Sequence, residues 1–332
     1  QTDLAPKISG YLQAQTLALP AALLFVAYRT FNTSVSRPKA VMFLQLAGLA
    51  IKAPLAWVLI QGNTALGIDA MGVTGCGVST AIVMWGQVLV AILVLWRQPF
   101  YDAFDLKHWC WPQWQPLKKQ LRLGLPMAMS ILVEVTGFTF MALFIARMGA
   151  NAVAGHQVAV NLVSIMFMMP LALANATGAL VAQSLGAGQA AIARQLGWHG
   201  IGLGLMISAL LGTLIYWARD SVVHIYSDQP SIVANALPLL SWLVLFHLAD
   251  CAQTISAQVL RAHHITLVPL LIYVASMWGI GLGGGYWLAF ESTGMPPALQ
   301  GASAYWSCAT LALVAASTAL CAYLAWVHRH EH

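Results

Sequence analysis

The sequence predicts an all-α polytopic membrane protein built as a helical bundle. Of its 332 residues, 60% are hydrophobic and only 8% are charged, whereas an ordinary soluble domain has about 25% charged residues. Apolar stretches long enough to cross a bilayer follow one another with short polar breaks between them. Because lipid offers the backbone no hydrogen-bond partner, such stretches must be helices.

Nine candidate spans follow from these apolar runs. In chain order they cover residues 11–28, 40–60, 76–96, 123–146, 157–182, 200–218, 237–260, 265–290 and 302–327.

The lysines and arginines predict the orientation of the spans, because cytoplasmic loops are enriched in them. Of the 15 basic residues, 11 fall in one alternate set of loops: Arg29, Arg37, Lys39, Arg97, Lys107, Lys118, Lys119, Arg122, Arg194, Arg261 and Arg329. This bias places Gln1 outside the cell and the C-terminal tail, residues 328–332, in the cytoplasm. Since no signal peptide is found at Gln1, we expect an odd number of helices, such as three, to precede it in the parent protein.

We predict three parts of the chain: residues 1–97 as the second half of an N-terminal lobe, 98–122 as a cytoplasmic interlobe linker, and 123–332 as a C-terminal lobe of six spans. A weak internal repeat supports two six-helix halves, since Tyr28-Arg29 after the first span resembles Leu260-Arg261 after the seventh. The linker is rich in Trp and Pro, which favours an interfacial belt over a docking site for a partner.

Three ionisable residues lie near the middle of apolar spans: Lys52, Glu134 and Asp250. A charge at this depth costs about 2.5–3.5 kcal/mol on insertion scales, so such residues face a cavity or a partner and mark ion or substrate paths. Two carboxylates from different helices that meet in a pocket can bind Na+ or share a proton. The alternative is a buried carboxyl bonded only to neighbouring polar groups.

Further polar residues are candidates for the same site. Asn161 and Asn175 lie in the span after Glu134, and His247 lies three residues before Asp250 on the same helix face. They are candidate ligands or pocket walls, although His247 also fits an ordinary packed histidine. Lys52 fits a counter-charge to an acid or a residue whose ammonium reaches toward the headgroups, and its role stays open.

Several other sequence patterns do not indicate the function that they usually mark. Gly279, Gly281 and Gly284 match G-x-G-x-x-G but lie in an apolar span without a βαβ unit; glycine pairs four residues apart, 279 with 283 and 281 with 285, fit close helix packing better. The five cysteines lack zinc or redox spacing. The basic residues are spread over many loops, which argues against nucleic acid as a partner.

The residues also match a known family. The segment 124–188 closely resembles the seventh and eighth helices of the multidrug and toxic compound extrusion (MATE) family, NorM-like branch. The resemblance rests on Gly124-Leu125-Pro126, the mid-helix Glu134, His156-Gln157-Val158-Ala159, residues 183–188 and Ala193-Arg194. Residues 249–253 are similar to the acidic stretch of the family's tenth helix, and residues 72–85 to its sixth.

The resemblance implies a MATE-type bundle of twelve helices, with two lobes related by a pseudo-two-fold axis, of which this chain holds family helices four to twelve. It implies that Glu134 and Asp250 are the carboxylates of the C-lobe cation site, with Asn161 and Phe167 as wall residues. Lys52 departs from the family, which more often has an uncharged polar residue there.

The resulting functional hypothesis is a multi-pass protein of the bacterial inner membrane that is not an enzyme. It exports amphipathic, often cationic drugs by alternating access as Na+ or H+ enters, with Na+ possible at Glu134 and Asp250 and no other cofactor. We expect a monomer with the lipid bilayer and small-molecule drugs as partners. One alternative is a flippase for lipid-linked saccharides; another is a membrane-embedded enzyme, which the short loops disfavour.

Overall fold

The computed structural model describes residues 4–63, 67, 69–106, 111, 113–292, 296 and 299–330. Within these residues, nine helices are long and apolar enough to cross a membrane, and each overlaps one of the predicted spans. The predicted fold class, an all-α polytopic membrane protein, is confirmed. Trp109 and Pro112 of the predicted linker and residues 331–332 of the tail lie outside the described residues.

The helices in chain order alternate with short connections. They are α1 (Leu4–Ser34), α2 (Pro38–Gln61), α3 (Val73–Arg97), a 3₁₀ helix (Pro99–Phe104), α4 (Trp114–Ala146), α5 (Ala150–Gly186), α6 (Ala190–Trp217), α7 (Arg219–Tyr226), α8 (Pro230–Leu240), α9 (Leu243–Ala262), α10 (Leu267–Tyr273) and α11 (Ala302–His330). After α10 the chain continues as π-helix over Val274–Gly284 and Trp287–Glu291.

Two predicted spans differ from the observed helices. The span predicted at 237–260 is interrupted, because tight turns at Ser241 and Trp242, with hydrogen bonds to Pro238 and Leu239 three residues back, end α8 before α9 begins. The span predicted at 265–290 is helical from Leu267 onward, but most of it is π-helical. Wide turns of this kind are rare and are frequently found at functional sites.

The described residues divide into two compact units, residues 1–112 and 113–332. In the first unit α3 packs against both α1 and α2. Glycines allow the close approach: a Cβ atom on Gly77 would lie 2.9 Å from the Cβ of Ala14. The 3₁₀ helix closes one end of this unit, where the buried Tyr101 hydroxyl donates a 2.6 Å hydrogen bond to Oδ1 of Asn32.

In the second unit α9 is the central helix, packed against α5, α6 and α11. Its buried residues form two apolar clusters, one with Phe246 and Leu243 and another with Ile255 and Val259. The π-helical segment packs on α4 and α11. A Cβ atom on Gly281 would lie 3.4 Å from Ala312, whereas one on Gly279 would meet nothing within 4 Å. Gly281 therefore lies at a close helix contact, as predicted. Gly279 does not, and the prediction that it serves close helix packing is wrong.

Candidate cation and substrate cavity

Glu134 lies in the second half of α4, a helix of 33 residues. A proline at 126 interrupts the backbone hydrogen bonding of this helix, and Ser130 Oγ donates to the Pro126 carbonyl oxygen at 3.0 Å. Beside Glu134, Trp278 Nε1 donates a 3.1 Å hydrogen bond to the Val133 carbonyl oxygen. The glutamate is therefore held where α4 meets the π-helical segment, and its side chain is half-buried.

Asp250 lies near the middle of α9 and is 6% exposed. Because α5, α6 and α11 surround this helix, a charge here is shielded from lipid by protein on most sides. Phe246 stands one helical turn before Asp250, so the two side chains share a helix face. A carboxyl group at this depth requires a polar partner, a proton or a cation.

Glu134 and Asp250 line the same cavity, which has a volume of about 380 Å³. Phe167, predicted as a wall residue, also lines it. The described residues that complete the lining are Val135, Phe138, Thr139, Val160, Val163, Ser164, Met168, Phe246, Tyr273, Met277 and Leu313.

The polar side chains among these described lining residues all present oxygen atoms: Glu134, Thr139, Ser164, Asp250 and Tyr273. The Thr139 and Ser164 hydroxyls each donate a 2.8 Å hydrogen bond to the carbonyl oxygen four residues earlier on their own helices. Their donors are thus in use, and their oxygen lone pairs remain as acceptors. Oxygen-rich sites with carboxylates suit hard cations.

The other walls of the cavity are apolar and rich in aromatic rings. Phe138 and Phe246 pack edge to face with their ring centroids 6.5 Å apart, and Phe167, Met168 and Met277 add further apolar surface. Aromatic faces attract cations, and methionines adapt to ligands of different shape. The cavity therefore combines anionic groups with a surface suited to an amphipathic cation.

Arg261 lies in the last turn of α9, where its Nη1 donates a 3.0 Å hydrogen bond to Oε1 of Gln258. It is not among the lining residues of the cavity, whereas Tyr273 lines the cavity and is 7% exposed. The described lining therefore contains two carboxyl groups and no basic side chain.

The other predicted site residues lie elsewhere. Asn161 lines a different cavity of the second unit, where its Oδ1 accepts a 2.9 Å hydrogen bond from the Tyr226 hydroxyl. Asn175 is exposed on α5. His247 is 1% exposed, and its Nε2 has no hydrogen-bond partner among the described residues. Lys52 lines a cavity of the first unit.

The prediction from sequence missed several lining residues. Phe246 was detectable, because it precedes Asp250 by one helical turn. Tyr273 and Met277 gave no comparable signal, since they lie in an apolar span in which the α-helical start and the π-helical continuation together set which side chains line the cavity.

Comparison with known proteins gives a consistent picture. A family model described as MatE matches residues 126–287, which include both Glu134 and Asp250. A probable multidrug resistance protein NorM from Aromatoleum aromaticum is 38% identical over 318 residues, covering 95% of this chain and 68% of that protein. The multidrug resistance protein MdtK of Photorhabdus laumondii is 32% identical, covering 98% of this chain and 71% of that protein.

The fold is also similar to solved structures. A crystal structure of MATE in complex with MaD3S superimposes with a TM-score of 0.81 at 17% identity, covering 96% of this chain and 69% of that one.

Proposed function

Since the chain belongs to the multidrug and toxic compound extrusion (MATE) family, we propose that it exports amphipathic, often cationic drugs in exchange for Na+ or H+. One observation carries the proposal: Glu134 of α4 and Asp250 of α9 line one cavity with oxygen-bearing and aromatic side chains. Such a cavity can hold a coupling cation at its carboxylates and an apolar molecule against its walls.

The coupling cation binds at the two carboxylates. Two ionised carboxyl groups in one mainly apolar cavity repel each other and have lost part of their hydration, so a proton or Na+ that neutralises them is favoured. The Thr139, Ser164 and Tyr273 oxygens supply further ligands for a metal cation. Entry of each positive charge down the membrane potential releases about 2.3 kcal/mol per 100 mV.

The drug uses the same cavity. Its apolar body packs against Phe138, Phe167 and Phe246, and its positive charge is attracted by the carboxylates and by the aromatic faces. Its affinity comes mainly from non-directional contacts, so one cavity accepts chemically different molecules.

Drug export is coupled to ion entry because the drug and the ion are attracted by the same negative charges. When Glu134 and Asp250 capture a cation, the attraction for a positively charged drug falls, so the drug leaves from the outward-open state. The cation-loaded protein then converts to the inward-open state, where the ion is released. Drug and cation thus favour different states, and the binding of one excludes the binding of the other. This mutual exclusion is the requirement for exchange.

We further propose that the protein works as a monomer in the bacterial inner membrane. This proposal is supported by the relatives, which are bacterial proteins, and by the distribution of Lys and Arg between alternate loops, which favours a cytoplasmic C-terminus.

The test is Glu134→Gln in proteoliposomes with an imposed Na+ or proton gradient. We expect ion-driven export of a fluorescent cationic drug to be abolished, because the neutral amide can no longer exchange a cation. Glu291→Gln is the matched control, since Glu291 is exposed and outside the cavity. Undiminished export by the Glu134 variant refutes the assignment.

A further inference from the structure

The second unit contains another, smaller cavity, with a volume of about 20 Å³, between α4, the π-helical segment and α11. Phe138 of α4 and Met277 of the π-helical segment line it, and both also line the cavity of Glu134 and Asp250, called here the carboxylate cavity. These two side chains form a shared wall, so the smaller cavity is a side pocket of the larger one. Its described lining residues all belong to the second unit, and residues of this unit therefore set its size.

Small residues on three helical segments make room for the side pocket. Gly137 of α4 is buried, and a Cβ atom there would have Nε1 of Trp278 as its nearest neighbour outside its own helix, at 3.9 Å. Gly281 of the π-helical segment and Ala309 of α11 line the pocket from the other sides. Because Gly137 also lines the pocket, a methyl group at this position would fill part of it without a clash.

The walls of the side pocket are almost entirely apolar. Among its described lining residues, Tyr305 alone has a side-chain oxygen; it is 1% exposed, and its hydroxyl has no hydrogen-bond partner among the described residues. One hydroxyl is fewer than the roughly two to four polar partners that a buried water molecule needs, so the side chains of the pocket suit an apolar group better than water. Met141 and Met277 also line it, and such flexible side chains adapt to groups of different length.

The side pocket continues the carboxylate cavity along α4. Glu134 lines the carboxylate cavity, Phe138 lines both, and Met141 lines the side pocket. Their spacing of four and then three residues places them on one face of the helix. From Glu134 to Met141 an α-helix rises about 10 Å. A molecule with its positive charge at Glu134 therefore reaches the side pocket with an apolar chain of about this length, such as an octyl group.

We propose that the side pocket binds the apolar end of elongated cationic drugs whose charge lies at Glu134 and Asp250, and that it sets the length of drug that the protein accepts. Phe138 and Met277 turn aside to admit the chain, because these two side chains separate the two cavities. The chain gains affinity by leaving water for an apolar environment. This inference rests on the export function proposed above and adds a basis for selection among its substrates.

The experiment measures how well butyltrimethylammonium and octyltrimethylammonium displace a fluorescent cationic drug from the protein in phosphatidylcholine nanodiscs. Gly137→Ala adds a methyl group to the side pocket, so we expect it to weaken octyl binding about fourfold, the effect of about one methylene, and to leave butyl binding unchanged. Gly124→Ala is the matched control, because it makes the same change on α4 where a Cβ atom would meet nothing within 4 Å; it should affect neither ion. All variants are compared in the same bilayer, so partition of the octyl ion into lipid cancels.

Leu282→Ala tests the same pocket in the opposite direction. Leu282 lines the side pocket and is half-buried, so its truncation enlarges the pocket. We expect this variant to bind the longer decyltrimethylammonium about fourfold more tightly than the unchanged protein does, with butyl binding unchanged. A loss of folding cannot produce this result, because it would weaken the binding of every ion.

The proposal is overturned if Gly137→Ala weakens both ions equally or neither ion, or if Leu282→Ala does not favour the longer ion. Glu134→Gln separates this failure from a failure of the proposed function, since it should weaken the butyl and octyl ions alike. If it does so while Gly137→Ala has no selective effect, the side pocket alone is wrong. If Glu134→Gln leaves butyl binding unchanged, the role proposed for the carboxylate cavity is wrong.

Discussion

Trp278 donates a hydrogen bond from its indole Nε1 to the carbonyl oxygen of Val133 at 3.1 Å. Val133 is the residue before Glu134, and Trp278 lies in the π-helical segment that follows α10. This bond joins α4 to that segment beside the glutamate of the carboxylate cavity. Met277, which lines the same cavity, directly precedes Trp278 in the chain, and Tyr273, which also lines it, ends α10 just before the π-helical segment.

Trp278→Phe tests whether this bond positions Glu134. The substitution keeps an aromatic ring but removes the donor, so we expect a loss of about 1 kcal/mol in stability and a higher coupling-ion concentration for half-maximal transport. Thermal unfolding and ion-dependent efflux measure the two effects. Trp217→Phe, at a side chain that is 79% exposed, should change neither. A variant that loses stability but keeps its ion dependence would limit Trp278 to a structural role.

Phe167→Leu tests the contribution of an aromatic wall. Leucine keeps an apolar surface but removes the π face, whose attraction for a cation amounts to about 0.5–2 kcal/mol. We expect the half-saturating concentration of a cationic drug to rise about fivefold, as this energy implies, with little change for a neutral drug of similar shape. Phe43→Leu, at a side chain that is 65% exposed in the first unit, is the control. Equal effects on both drugs would show that Phe167 acts only by filling space.

Gly155→Ala tests the contact between α5 and α8. A Cβ atom at Gly155 would lie 2.9 Å from the backbone carbon of Asn235 and 3.0 Å from the nitrogen of Ala236. Because backbone atoms cannot move aside as a side-chain end can, we expect a loss of about 1–3 kcal/mol in stability. Gly186→Ala on the same helix meets nothing within 4 Å and should leave the unfolding temperature unchanged. Equal stability of the two variants would contradict the packing described here.

The sequence was sufficient to predict the helical spans, because long apolar segments have only one way to satisfy their backbone in lipid. It also singled out Glu134, Asp250 and Phe167, which the structure brings to one cavity. Glu134 and Asp250 stood out as charges within apolar spans, whereas Phe167 came only from the family resemblance.

Other features depend on helix rotation and local backbone geometry, which an apolar sequence does not encode strongly. Asn161 is on the same helix as Phe167 but lines a different cavity, because side chains six residues apart on an α-helix point about 120° away from each other. His247 is three residues from Asp250, yet only Asp250 is among the lining residues of the carboxylate cavity. The π-helical turns that place Met277 have no sequence signature that we could use.

The shared cavity predicts how Glu134→Gln and Asp250→Asn combine. If both carboxyl groups hold one coupling cation, either substitution removes most of the ion-driven transport, and the second has little left to remove. The coupling free energy between the two changes should therefore be large, as for residues that act on one ligand. If each carboxyl group instead served a separate step, the effects on the logarithm of the transport rate would add.

The measurement is the initial rate of ion-driven efflux for the unchanged protein, both single variants and the double variant, each in proteoliposomes at matched protein density. Asp228→Asn and Glu291→Gln form the control pair, because both side chains are exposed and neither lines the cavity; alone and together they should transport at nearly the unchanged rate. We expect the double variant at Glu134 and Asp250 to be no slower than the slower single variant. A double variant slower by the product of the two single effects would mean that the two carboxyl groups do not share a cation.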